Sequence, residues 1–195
     1  MAATVEFLFD FGSPASYIAH RRLPALVART GVIIDYQPVL LGGIFKSSGN
    51  SAPATVPAKG RYLFRDLQRF ADRERIPLAM NPYFPPNTVL LMRIATGLVG
   101  TLDFMTFVDA AFDAMWIDAR DMSGRDSVAA VLDRAGLDAE TMLALAQDGA
   151  VKERMRANTD AAVARGVFGV PTFFVDGEMF FGQDRLDWVE AALTP

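Results

Sequence analysis

The order in which hydrophobic periodicity changes along this chain constrains its fold more than any single motif. Val5-Glu6-Phe7-Leu8-Phe9-Asp10 is a short run of β-branched and aromatic residues broken at Gly12, the pattern of a buried strand. Ser13 follows as a natural helix N-cap and Pro14 suits the first helical position. An apolar stripe of Tyr17, Ile18, Leu23, Leu26 and Val27 then runs to Gly31. Pro24 falls inside the stripe and is expected to kink or briefly break the helix. Residues 32–37 read as a second strand, joined to the first by a connection long enough for a parallel crossover. Residues 38–57, rich in Gly, Ser, Asn and Pro, read as a loop.

Helical periodicity then holds for about a hundred residues, with expected helices near 58–75, 88–99, 103–117, 125–135, 139–147 and 150–166. Strand patterning returns at Thr172-Phe173-Phe174-Val175. Asp176-Gly177 supplies the turn and Met179-Phe180-Phe181 the second arm of a hairpin. Asp184 to Leu193 is amphipathic and reads as a last helix. The sequence β-α-β, helical block, α-β-β-α is the element order of an α/β thioredoxin-like fold carrying an all-helical insertion. On that scheme residues 1–57 and 150–195 form the thioredoxin-like domain and 58–149 the helical insertion domain. Order alone leaves other α/β arrangements open.

Composition removes whole classes of chemistry. The 195 residues contain no cysteine and one histidine, His20. A dithiol, a thiolate metal site and a multi-histidine metal site are therefore excluded. Net charge is −4 with no basic stripe, which argues against nucleic acid as a partner. No apolar run is long enough to span a membrane, and the start of the chain lacks signal-peptide character, so the cytoplasm is the expected compartment.

The residues left to carry chemistry sit at element junctions. Ser13-Pro14-Ala15-Ser16 occupies the turn from first strand to first helix, where backbone N–H groups and the helix dipole favour an anion. A C-x-x-C here would be a redox motif; with serine at both ends the hydroxyl can hold a thiolate brought by a ligand but cannot form a disulfide. The plain alternative is an N-cap. A serine hydrolase is excluded, because His20 lies seven residues along the same helix, roughly 10 Å away at 1.5 Å per residue. Val170-Pro171 opens a strand with a proline, expected cis or at an edge, and could equally be only a strand start. Gln183 and Asp184 gather an amide and a carboxylate where the last helix begins, suited to an amino-acid group, or else Asp184 is its N-cap. Asn50 and Lys59, in and after the long loop, are by themselves ordinary solvated residues.

Five segments in order carry a resemblance that spans essentially the whole chain. They are Phe9-Asp10-Phe11-Gly12-Ser13-Pro14-Ala15-Ser16-Tyr17, Leu41-Gly42-Gly43-Ile44-Phe45-Lys46-Ser47-Ser48-Gly49-Asn50, Val56-Pro57-Ala58-Lys59, Gly166-Val167-Phe168-Gly169-Val170-Pro171-Thr172, and Phe181-Gly182-Gln183-Asp184-Arg185-Leu186. With these the chain resembles the 2-hydroxychromene-2-carboxylate isomerases and the related kappa-class glutathione transferases, which share a DsbA-like arrangement. The resemblance implies glutathione as cofactor, its sulfur near the catalytic Ser13, its backbone paired at Val170, and its γ-glutamyl end held by Gln183 and Asp184. Asn50 would complete that site and Lys59 would balance a carboxylate. Position 183 is serine in the kappa transferases, so glutamine leans to the isomerase side. The implied substrate is a small aromatic carboxylate, with Tyr83, Phe84 and Asn87 as a wall of its cleft. The implied assembly is a homodimer. Rival expectations are a kappa-like transferase and a redox-inactive thioredoxin-like binding module.

Overall fold

The computed structural model describes residues 3–193. Four strands, β1 (Thr4–Phe9), β2 (Ile33–Pro38), β3 (Thr172–Val175) and β4 (Glu178–Phe181), form one sheet in the order β2-β1-β3-β4. β1 pairs parallel with β2, Phe7 opposite Tyr36, and antiparallel with β3, Phe7 opposite Phe173. β3 and β4 form the expected hairpin, Phe173 opposite Phe180. This is the thioredoxin-like sheet, and the DsbA-like helical insertion lies between β2 and β3.

The two-residue period of β1 explains how the sheet is covered. Val5, Phe7 and Phe9 point to one face and are fully buried in the large core, where Phe7 stacks on Phe9 and Phe173 at 5.4 and 5.2 Å. Leu8 points to the other face and joins Val39, Ile44, Ala162, Val167, Val170 and Phe174 in a second core. The large core continues without a break into the inserted helices through Phe11, Phe107, Phe112 and Trp116.

The helices are α1 (Pro14–Thr30), α2 (Leu41–Ser48), α3 (Pro57–Glu74), α4 (Val89–Leu98), α5 (Asp103–Trp116), α6 (Arg125–Arg134), α7 (Ala139–Leu145), α8 (Gly149–Ala164) and α9 (Leu186–Ala192). Three differ from the sequence expectation. Pro24 does not break α1, because Leu23 and Leu26 on either side are held in the core and outweigh one lost backbone hydrogen bond. The expected loop over 38–57 contains α2 and a 3₁₀ turn at Pro53–Thr55. Gly42-Gly43 disguises α2, yet Gly43 is where α2 meets α8: a Cβ there would stand 3.0 Å from Thr159 Cγ2. The last helix begins only at Leu186, after a 3₁₀ turn over Gln183–Arg185. No helix among the described residues is long and apolar enough to cross a membrane.

Candidate active site at the first helix N-terminus

β1 ends at Phe9 and the chain turns through Gly12 into α1, leaving Ser13 at the N-cap. Ser13 is only 5% exposed. Its Oγ accepts the Ser16 N–H at 3.1 Å, so the capping reading is correct, and its hydroxyl donates to the Val170 carbonyl at 3.1 Å. A hydroxyl has one hydrogen and two lone pairs. Donation to a ligand sulfur therefore requires swinging that hydrogen off Val170 while Oγ keeps its hold on Ser16.

Val170 and Pro171 are joined by a cis peptide bond. The N–H of Val170 has no acceptor among the described residues, and neither has the Ala15 N–H in the first turn of α1. Ser13 and Val170, separated by 157 positions, thus meet as the sequence reading expected. Asn50 joins them indirectly: its Nδ2 donates to the Phe168 carbonyl at 2.8 Å, tying the end of α2 to the segment before Pro171. Lys59 lies exposed in the first turn of α3 and makes no ion pair among the described residues.

Gln183 and Asp184 behave differently from each other. Gln183 is 3% exposed. Arg22 of α1 donates to its main-chain oxygen at 2.6 Å and to its Oε1 at 3.3 Å. Because arginine only donates, Oε1 is the atom turned to Arg22, and Nε2 is left as a donor without an acceptor among the described residues. Asp184 is exposed and is not an N-cap: α9 starts at Leu186 without a side-chain cap, and the carboxylate of Asp184 instead holds Arg185 at 2.6 Å.

The proposed wall divides. Phe84 packs edge-on to Phe64 at 5.2 Å and against Trp116 at 6.4 Å. Phe64 and Trp116, with Pro14, Leu78 and Met80, line a small pocket beside the first turn of α1. Tyr83 faces elsewhere, into a groove with Arg120, Asp121 and Gly124. Asn87 accepts the Val89 N–H at 3.2 Å and so helps to start α4.

Two residues were overlooked in the sequence. Asp10 is 1% exposed and its carboxylate accepts the Gly12 and Leu41 N–H groups, each at 2.8 Å, and a hydrogen bond from Thr88. Burial pushes its carboxyl above the usual range, against the pull of those hydrogen bonds. It joins the Ser13 turn to the starts of α2 and α4. Arg22, described above, was the other. It follows His20 and Arg21 on α1, and its 14% side-chain exposure and its partners mark it out. His20 is a core residue: Nε2 meets Asp109 at 2.8 Å and Nδ1 meets the Tyr36 hydroxyl at 2.9 Å, and the ring stacks on Phe112. The hydrogen bond from His20 holds the Asp109 carboxyl below its usual range.

With this geometry in place, comparison with known proteins decides the family. The model of the DSBA-like thioredoxin domain matches residues 4–194. The chain belongs to the DsbA-like thioredoxin family. It is 34% identical to a 2-hydroxychromene-2-carboxylate isomerase of Sphingobium xenophagum, covering 99% of both chains. It is 30% identical to human glutathione S-transferase kappa 1, over 94% of this chain and 88% of that protein. A solved 2-hydroxychromene-2-carboxylate isomerase superposes with a TM-score of 0.88 at 32% identity, covering 97% of this chain and 94% of that one. Pseudomonas aeruginosa DsbA, at 18% identity and TM-score 0.59 over 97% and 81% of the two chains, shares the fold alone.

Proposed function

We propose that this DsbA-family protein is a glutathione-dependent isomerase. It converts 2-hydroxychromene-2-carboxylate, or a close aromatic analogue, to the trans-o-hydroxybenzylidenepyruvate form during breakdown of polycyclic aromatic compounds. The observation that carries the proposal is the pair of backbone donors beside Ser13, the Val170 and Ala15 N–H groups, neither with an acceptor among the described residues. Beyond Pro171, whose carbonyl accepts the Gly182 N–H, follow the Gln183 amide and the exposed Asp184 carboxylate with its surface partner Arg185. A peptide-like anion with an amino-acid end uses donors and an acid in that combination. The residues therefore fit glutathione, with Val170 pairing its backbone, Gln183 and Asp184 its γ-glutamyl end, and Asn50 and Lys59 the remaining polar groups.

Bound there, glutathione would supply a thiolate that adds to the substrate and departs unchanged, so no net oxidation occurs. Ser13 supplies the hydroxyl that stabilises the negative sulfur. The α1 N-terminus adds its dipole and the free Ala15 N–H. Each pKa unit by which such donors lower a thiol is worth about 1.4 kcal/mol. The half-buried rings of Phe64 and Phe84, packed edge to face with the buried Trp116 behind Phe84, offer an aromatic surface near the first turn of α1 for the ring of the substrate. Without cysteine of its own, the chain cannot run the disulfide chemistry associated with the DsbA fold.

Isothermal calorimetry with reduced glutathione tests the cofactor, with S-methylglutathione as control. Saturable binding weakened by the methyl group supports it; no heat at millimolar glutathione overturns it. Turnover of 2-hydroxychromene-2-carboxylate by the glutathione-loaded protein then tests the reaction. A kappa-like transferase, favoured by the 30% identity to the human protein, would instead consume glutathione stoichiometrically with an electrophile.

A further inference from the structure

The helices α2, α4 and α8 border a groove of about 520 Å³. Leu40, Gly43 and Ser47 line it from α2, Arg93 from α4, and Gly149, Lys152, Arg156 and Thr159 are among its residues from α8. Leu40, Gly43 and Ser47 are spaced three and four apart and share one helical face. The Leu41 N–H points instead to Asp10, and Asn50 follows α2 to the Phe168 carbonyl. None of the residues lining the groove belongs to the candidate active site.

Its charge is unevenly neutralised. Arg156 is paired with Glu153 at 2.8 Å and also lies in the field of Asp160, which uses both acids of the groove on one cation. Arg93 and Lys152, both partly buried, make no ion pair among the described residues. The Nε of Arg93 is fully shielded from solvent and has no hydrogen-bond partner. A groove ligand reaches Arg93 through its two terminal nitrogens, which have no hydrogen-bond partner among the described residues and are not shielded, and an oxyanion is the group that matches such a guanidinium edge. An ammonium on the neighbouring helix adds a second charge without competing for that edge.

We propose that this groove binds a small ligand through a phosphate or carboxylate group seated on Arg93 and Lys152. Three cations against two acids disfavour a metal ion there, and five charged side chains in the lining disfavour a purely hydrocarbon ligand. The proposal is independent of what Ser13 binds. Since α2 lines the groove and also holds Asp10, occupancy would also steady the helix that leads to Asn50.

The test is calorimetric titration of the intact protein with inorganic phosphate and, separately, with malonate, each at constant ionic strength against chloride. Saturable binding of at least one anion is expected. Arg93→Gln and Lys152→Gln should each weaken it about tenfold, the effect of one charge-assisted contact, while Ser13→Ala leaves it unchanged. Preference for phosphate or for malonate identifies which group the site takes. Lys152→Gln serves if Arg93→Gln fails to fold. No saturation by tens of millimolar of either anion overturns the proposal. So does binding that survives both groove substitutions, or that is lost in Ser13→Ala and therefore belongs to the other site.

Discussion

Two junctions in this molecule lead from sheet into helix and look alike in sequence, but they spend their polar side chains in opposite ways. At the first, Ser13 caps α1 and also donates to Val170, so its one hydroxyl hydrogen is already employed before any ligand arrives. At the second, Asp184 does not cap α9 and its carboxylate pairs with its neighbour Arg185, while Gln183 is held by Arg22. The first site is built from neutral and backbone groups; the second is charged. A ligand at Ser13 must displace an internal hydrogen bond, whereas one at Gln183 meets a donor already turned outward. The first junction should therefore govern turnover and the second affinity.

Ser13→Ala is the strongest way to break this comparison. A hydrogen bond to a charged group is worth about 1.5–3 kcal/mol, so kcat/KM for the isomerase reaction should fall roughly 10- to 100-fold, mostly in kcat. Loss of the cap costs about 1 kcal/mol of stability, readable by urea denaturation. Near-normal turnover by a folded Ser13→Ala protein would remove the serine from the mechanism and with it the contrast.

Arg22→Met tests the other junction. It releases the Gln183 carbonyl and Oε1 and breaks the contacts of Arg22 with Glu74 and Asp187, at 3.8 and 3.6 Å. Leaving a buried acceptor unsatisfied costs about 1–3 kcal/mol. Glutathione affinity should fall with kcat at saturation retained. A variant that binds normally but turns over slowly would reverse the assignment of the two junctions. Asp184→Asn is the milder version: its ion pair with Arg185 is on the surface and worth about 0–1 kcal/mol, so stability should hold. A loss of a few-fold in glutathione affinity by calorimetry would mark Asp184 as a contact to the ammonium.

The part of this structure legible in the sequence is the part written in periodicity. The four strands, α1 and the succession of inserted helices follow from alternation and from 3.6-residue stripes, whereas the meeting of Ser13 and Val170 was implied by the family resemblance and not by order alone. What escaped depends on contacts between distant residues. Gly42-Gly43 reads as a break until Thr159 is known to press on Gly43. Asp10 looks like the end of a strand, because its partners Leu41 and Thr88 come from two later segments. Arg22 is marked out by a partner 161 positions away. Tyr83 and Phe84 are adjacent in sequence, yet Tyr83 lines an open groove while Phe84 packs on Phe64 and Trp116, which aromatic composition cannot distinguish.

The smallest expected effect lies within the first junction itself. Ser16 is one turn from Ser13, chemically identical and completely buried, yet its Oγ has no hydrogen-bond partner. Its backbone N–H, by contrast, is the group that Ser13 caps. A buried hydroxyl without a partner costs free energy that an alanine does not, so Ser16→Ala should leave stability unchanged or raise it by about 1 kcal/mol. Turnover should stay within a factor of two of the parent, or about 0.4 kcal/mol on the usual rate scale. Paired urea denaturation and initial-rate measurements check both. If Ser16→Ala were instead destabilising and slow, its hydroxyl would have a partner in the working enzyme. The two serines would then act together, and the turnover assigned to Ser13 alone would belong to the whole first turn of α1.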